Sequence, residues 1–287
     1  MESGMTESGA LRCPAPAKLN LFLHVVGRRA DGYHLLQSVF RLLDWGDEVF
    51  LTPRVDGLIA RSSDLAGVPA DQDLVVRAAR ALQKFSGCAL GVDIAVIKRV
   101  PMGGGLGGGS SDAASVLLGL NRLWRLGYSR GQLARIGLTL GADVPFFLFG
   151  QDAFVEGVGE TMQAVALPKA WYVILFPNVT VPTAKIFSAE ELTRNTQLIK
   201  IADFASIATR NDLEAVACSR FPEIRDAISW LGRYYPARMT GSGACVFAEV
   251  PSESEAKRIV EACPSSWRAW CARSSGSHPL REWAGDD

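Results

Sequence analysis

The sequence lacks a charge of one sign: 30 lysines and arginines stand against 30 aspartates and glutamates. Balanced in this way, they offer no polyanion-binding surface, and no nucleic acid partner is expected. No stretch approaches the ~20 apolar residues that cross a bilayer, so no membrane partner is expected either. The first dozen residues carry Glu2 and Glu7 and no apolar run, which argues against a signal or transit peptide. The six cysteines, at 13, 88, 218, 245, 263 and 271, form no C-x-x-C pair. Sitting mostly inside apolar patterns, they read as reduced, buried thiols of a cytoplasmic protein. There is no internal repeat.

What is present is a chain of 287 residues, 48% hydrophobic and 21% charged, enough for one large or two ordinary domains around a sizeable core. Strands and helices interleave along the second half as in a two-layer α+β sandwich. The pattern restarts near Leu167-Pro168, where the domain boundary is placed. The expected organisation is a disordered extension over 1–12, an N-terminal domain over 13–166, a C-terminal domain over 167–273 and a loose polar tail over 274–287.

The chain is organised around Pro101-Met102-Gly103-Gly104-Gly105-Leu106-Gly107-Gly108-Gly109-Ser110-Ser111-Asp112-Ala113-Ala114. A strand pattern, Val92 to Ile97, precedes it, and apolar residues at helical spacing, Ala113, Val116, Leu117, Leu120, Leu123 and Trp124, follow. Strand, glycine loop and helix in that order make an anion site, because bare backbone N–H groups and the positive end of a helix face one concavity. Ser110 and Ser111 stand at the expected N-cap, where hydroxyls close the helix end or reach a phosphate or its magnesium. Gly103-x-Gly105-x-x-Gly108 also fits the dinucleotide fingerprint of an oxidoreductase, but turn and helix, not a second parallel strand, follow Trp124. Gly104-x-x-x-x-Gly109 has P-loop spacing, with Ser110 where that loop needs lysine.

In the strand Pro14 to Val26, Leu19, Leu21, Leu23 and Val25 share one face, leaving Lys18, Asn20, Phe22 and His24 on the other. Read alone, Lys18 is a solvated edge residue. Asp31-Gly32 makes a turn that delivers Tyr33 and His34. Helices are read over Leu74 to Phe85 and Ser129 to Leu140, then near 203–217, 222–235 and 252–263. Asp143, with Pro145 just inside the next apolar run, reads alone as a helix N-cap. Strands are read at 171–176 and 267–271, and a strand pair spans Met239 to Ala248 with Gly241-Ser242-Gly243 at its turn.

Pro16-Ala17-Lys18-Leu19-Asn20-Leu21, the glycine stretch and Met239-Thr240-Gly241-Ser242-Gly243-Ala244 together resemble the three motifs of the kinase family that joins galactokinase, homoserine kinase, mevalonate kinase and phosphomevalonate kinase. Ala30-Asp31-Gly32-Tyr33-His34, Gly141-Ala142-Asp143-Val144-Pro145 and Gly157-Val158-Gly159-Glu160 are similar to its branch that acts on a cytidine-diphosphate methylerythritol. The resemblance implies a two-domain α+β fold with the active site in the interdomain cleft, ATP and Mg²⁺ as cofactors and a small-molecule acceptor. It makes Asp143 the base and Lys18 its partner. It assigns ATP to Pro101, Gly103, Gly104, Gly105, Leu106, Gly107, Gly108, Gly109, Ser110 and Ser111, with Lys98 and Asp73 on the adenine side. Asn20, Tyr33, His34, Thr183, Phe187, Gly241 and Ser242 fall on the acceptor side, where aromatic rings sandwich cytosine. Two departures stand out: Asp73 replaces the family's asparagine, removing an amide donor near the purine, and about ten extra residues precede the first motif.

Overall fold

The computed structural model of the chain describes residues 5–6, 9–62, 67–204 and 207–286. Its first part runs β1 (Leu11–Arg28), β2 (His34–Arg54), β3 (Ile59–Arg61), α1 (Leu74–Ser86), β4 (Gly91–Ile97), α2 (Gly108–Leu123), α3 (Arg130–Leu138), α4 (Val144–Phe149), β5 (Ala153–Gly157) and β6 (Thr161–Ala164). The second runs β7 (Trp171–Phe176), α5 (Thr183–Phe187), α6 (Glu214–Arg220), α7 (Pro222–Leu231), β8 (Ala237–Met239), β9 (Val246–Val250), α8 (Glu253–Glu261) and β10 (Arg268–Arg273).

The 21-residue β2 is the spine of the first sheet. One edge pairs with β1 along its length; the other is shared by β5 at Leu36–Phe40 and β4 at Glu48–Arg54. Helices α1 to α4 supply Leu82, Leu117, Leu133, Phe146 and Phe147 to a core against Leu42, Leu51 and Ile94. The second sheet has the antiparallel order β10-β7-β9-β8. Its core around Tyr172, Ile174, Val246 and Ile259 also takes in Leu19, Leu23 and Leu43 of the first sheet. The two layers are thereby joined by continuous apolar packing. No strand follows α2 before α3, so the dinucleotide βαβ unit is absent.

The joint explains why the alternation expected in β1 is not seen. Register shifts fall between Pro16 and Lys18, Asn20 and Leu23, and Val25 and Gly27, and each bulge re-aims side chains. Lys18, Asn20, Phe22 and His24 are all buried, as are Leu19, Leu23 and Val25. Helix 203–217 is also corrected: α6 begins only at Glu214. The Asn211 side chain accepts from Leu213 N at 3.0 Å and Asp212 accepts from Val25 N at 2.8 Å, side-chain bonds that compete with a helix.

Both chain ends differ from expectation. Leu11 and Arg12 already pair with Leu51 and Phe50 in the sheet; of the supposed extension, residues 1–4 and 7–8 lie outside the described residues. The segment after Arg273 is no loose tail. Ser275 N and His278 N donate to Leu42 O and Gly150 O, both at 3.0 Å. Leu280 is fully buried, and Arg130 donates to Ala284 O at 2.5 Å. Single residues plug into the first core at irregular intervals, so no period marks the segment.

The glycine stretch links β4 to α2 and is strapped to the turn between β8 and β9. Gly103 O and Gly104 O accept from Ala244 N and Cys245 N, both at 3.1 Å. Gly105 has φ +74°, and a Cβ there would collide with the Thr240 carbonyl oxygen; one on Gly241 would lie 2.9 Å from Gly105 O. The N-cap of α2 is Gly107 at φ 72°, not Ser110 or Ser111, which sit inside the first turn, and no side chain caps this end.

Two outcomes follow from this packing. Gly105→Val should lower the melting temperature as well as abolish nucleotide binding, because backbone atoms fill the space; Gly109→Ala, whose Cβ would meet only Leu74 Cδ1 at 3.4 Å, should melt like the parent. Burial lowers the His278 pKa from 6.5 to about 3. The neutral ring therefore stabilises the fold fully above pH 6.5, and that contribution is lost as pH falls toward about 3. Denaturant titrations of the parent should show a loss of about 1.4 kcal/mol per pH unit below 6.5 from this group, absent in His278→Gln.

Candidate active site

Between the sheets lies a cavity of about 760 Å³. β1 delivers Lys18 and Asn20 to it, β2 delivers Ser38 and Phe40, and the glycine loop delivers Gly103, Gly105 and Gly107. Ser110 opens onto it from the first turn of α2 and Asp143 from the approach to α4. The opposite wall carries Thr183 and Phe187 of α5 and Gly241 and Ser242 of the β8–β9 turn, with Tyr33 and His34 at the β1–β2 corner.

The Lys18 ammonium lies 3.4 Å from Asp143 Oδ2, with the lysine side chain 4% exposed and the aspartate 36%. It donates to Asn20 Oδ1 at 2.5 Å and stands 4.5 Å above the Phe40 ring. A buried ammonium needs partners of this kind, and here three converge. Asn20 is fixed in turn: its amide donates to Ser38 Oγ at 3.0 Å and its N–H to Thr240 Oγ1 at 2.9 Å. The Lys18 N–H donates to Leu106 O at 3.0 Å, tying β1 to the glycine loop. Asp143 makes no capping bond to α4, so its carboxylate is directed at the cavity and the cap reading is set aside.

On the far wall, Thr183 Oγ1 and Ser242 Oγ lie 2.8 Å apart. The His34 and Phe187 rings are 5.0 Å apart and tilted by 36°, while Tyr33 is 66% exposed. The His34 pKa is lowered by burial first and by the nearby Arg194 and Arg28 guanidinium groups.

Other expected site residues do not line the cavity. Leu106 is packed into the core joining the sheets, Pro101 is buried, Gly104 backs onto Cys245 and Gly108 onto Val100, and Gly109 lies beside Leu74. Ser111 is fully buried, its hydroxyl without a hydrogen-bond partner. Asp73 caps α1 through Val75 N at 3.1 Å and pairs with Arg61 at 2.8 Å. Lys98 is clamped between Asp47 at 2.5 Å and Asp112 at 2.6 Å. Burial works against its ammonium, but the two carboxylates outweigh it and raise its pKa. Burial, helped by Asp47, raises that of Asp112. Sequence reasoning missed Ser38 and Phe40, whose period of two along β2 with Leu36 places all three on the cavity side.

Comparison with known proteins places the chain in a family. Residues 73–151 match the GHMP kinases N terminal domain and residues 189–269 the GHMP kinases C terminal domain. The chain is 66% identical over 273 residues to a 4-diphosphocytidyl-2-C-methyl-D-erythritol kinase of Aromatoleum aromaticum, covering 95% of this chain and 96% of that one. It resembles the crystal structure of a 4-(cytidine 5'-diphospho)-2C-methyl-D-erythritol kinase with a TM-score of 0.82 and 34% identity, covering 93% and 100% of the two chains. The mevalonate kinase of Methanococcus jannaschii shares the fold alone, with a TM-score of 0.67 at 13% identity over 94% and 99% of the chains. With the two-domain fold, the cleft and these likenesses in place, the chain belongs to the GHMP kinases and, among them, to the family of 4-diphosphocytidyl-2-C-methyl-D-erythritol kinases.

Proposed function

We propose that the chain transfers the γ-phosphoryl group of ATP to the 2-hydroxyl of 4-diphosphocytidyl-2-C-methyl-D-erythritol, a step of the non-mevalonate route to isoprenoid precursors. One observation carries the assignment: the Lys18 to Asp143 pair, 3.4 Å apart, in a cavity walled on one side by the glycine loop and on the other by Phe187. Asp143 accepts the proton of the acceptor hydroxyl, and Lys18 holds that carboxylate and balances charge on the group in transit. Phosphoryl transfer asks mainly for positioning and charge stabilisation.

The nucleotide side fits the chain's own groups. The leading amides of α2 have no side-chain cap, and a side chain at Gly107 would crowd Lys18 Cγ at 3.2 Å, so a bare cradle is kept beside the reacting groups. Among the described residues no group of three or more His, Cys, Asp or Glu converges on a metal position. Ser110 and Asp143 line the cavity beside the glycine loop and would offer oxygens to Mg²⁺, which would neutralise phosphate charge when bound. A cytoplasmic location is supported by six free cysteines and by the lack, among described residues, of a helix long and apolar enough to cross a membrane.

The deciding assay is ADP release with the cytidylylated methylerythritol, mevalonate, homoserine and galactose in parallel. Turnover of the first alone is expected; preference for another acceptor would move the chain to a different branch. Asp143→Asn should lower kcat by roughly 10²–10⁴-fold with ATP still bound. Lys18→Met should damage the same step, and the double variant should be little worse than the poorer single one; multiplicative losses would mean two independent roles.

Stacking by Tyr33 and Phe187 on cytosine is worth roughly 1–3 kcal/mol per ring removed. Tyr33→Ala and Phe187→Ala should each lower kcat/KM for the cytidylylated acceptor at near-parental melting temperature. Rings that merely pack the walls would show the reverse, lost stability with unchanged kcat/KM.

A further inference from the structure

Arg194 was not singled out by any motif, yet its guanidinium holds together the acceptor wall of the cavity. Its two terminal nitrogens donate to carbonyl oxygens at the end of α5 and just beyond it: Phe187 at 3.1 Å, Ala189 at 2.6 Å, Leu192 at 3.1 Å and Glu190 at 3.5 Å. Its Nε–H is left to donate to His34 Nε2 at 3.0 Å. One side chain thus ties the end of α5, which carries Phe187, to the β1–β2 corner carrying His34.

This bond settles the state of the imidazole. Arginine only donates, so His34 Nε2 presents a lone pair, and a neutral ring with that lone pair carries its proton on Nδ1. An imidazolium has no acceptor to offer Arg194. The charged groups facing the ring are Arg194, from the segment after α5, and Arg28, at the end of β1; both are cations that oppose a second proton. The ring lines the cavity, and it enters as a fixed donor.

We infer that Arg194 is a positioning residue that locks His34 as the Nδ1–H tautomer and thereby makes the acceptor site select cytosine over uracil. The inference rests on the proposed cytidine-bearing acceptor. Cytosine N3 is an acceptor for such a donor, whereas uracil carries N3–H, so donor would face donor and a buried polar group would go unpaired. Without Arg194 the ring can exchange tautomers and serve either base.

The test joins a spectrum to kinetics. With three histidines in the chain, ¹⁵N spectra of the imidazoles, assigned through His34→Gln, report the tautomer directly. The parent should show His34 as Nδ1–H between pH ~6 and 8. Arg194→Met should shift it toward a mixture, raise the acceptor KM by about tenfold with ATP KM unchanged, and shrink the cytidine-to-uridine ratio of kcat/KM by a similar factor. Arg194→Lys keeps the charge but cannot span carbonyls and ring together; it should restore the melting temperature but neither the tautomer nor the ratio. An Nε2–H or charged His34 in the parent overturns the inference. So does an Arg194→Met protein of lowered melting temperature with unchanged tautomer and ratio. A parent inactive on the cytidylylated acceptor would defeat the proposed function, while the spectra would still decide the tautomer.

Discussion

The structure depends on a place where two backbones touch with no room for a side chain. Gly105 in the loop before α2 and Thr240–Gly241 in the β8–β9 turn meet so closely that a Cβ on Gly105 or Gly241 would strike the other segment's backbone. Two hydrogen bonds, from Ala244 N and Cys245 N to Gly103 O and Gly104 O, lie alongside this contact. Backbone contacts have little play, so the separation of the two sheets is fixed here. β1 is tied to both partners, through Lys18 N to Leu106 O and Asn20 N to Thr240 Oγ1. The strand bearing Lys18 is therefore held by the same joint that sets the width of the cleft.

Buried charge is arranged around this joint in two groups. On the cavity side, Lys18 meets Asn20, Asp143 and the Phe40 ring. Behind the loop, Lys98 meets Asp47 and Asp112. Asp47 also accepts the N–H groups of Arg99 and Val100, at 2.6 and 2.8 Å, where the chain leaves β4 and enters the loop. A carboxylate that serves an ammonium and two amides at once offsets its own desolvation. It also fixes the direction in which the loop starts. The structure thus gives Lys98 a clear local task, anchoring the base of the loop.

Local signals in the sequence gave way to structure faithfully where they were local in cause. The helix that starts at Ser129, the strand at Trp171–Phe176 and the helix near 252–263 stand as read. The failures share a different cause. Lys18 reads as an edge residue because the groups around it, Phe40, Leu106 and Asp143, come from distant segments of the chain, and the bond that holds neighbouring Asn20 to Thr240 spans 220 positions. The C-terminal segment reads as loose because His278, Leu280 and Ala284 are buried one at a time. Arg194 left no motif, since its partners are backbone carbonyls and one imidazole from the other half of the chain. Resemblance to the kinase family supplied Lys18 and Asp143 where periodicity argued against them.

The two walls of the cleft differ in what they are made of, and this bears on how such a site is specialised. The loop side is mostly backbone: Gly103, Gly105 and Gly107 reach the cavity with no side chains, and close packing against Thr240 or Phe147 leaves no space for any at Gly105 or Gly107. Substitution there strains the joint itself. The acceptor side is built from side chains, Tyr33, His34, Thr183, Phe187 and Ser242, which can be exchanged singly without moving a strand. On the proposed assignment, triphosphate recognition is locked to the fold, whereas the choice of acceptor lies in a few exchangeable groups and the guanidinium that orients one of them. Selectivity can then shift through these side chains while Lys18 and Asp143 keep their 3.4 Å separation, because Lys18 is held by Asn20 and the Phe40 ring and its strand by backbone bonds at the joint, not by any of the five.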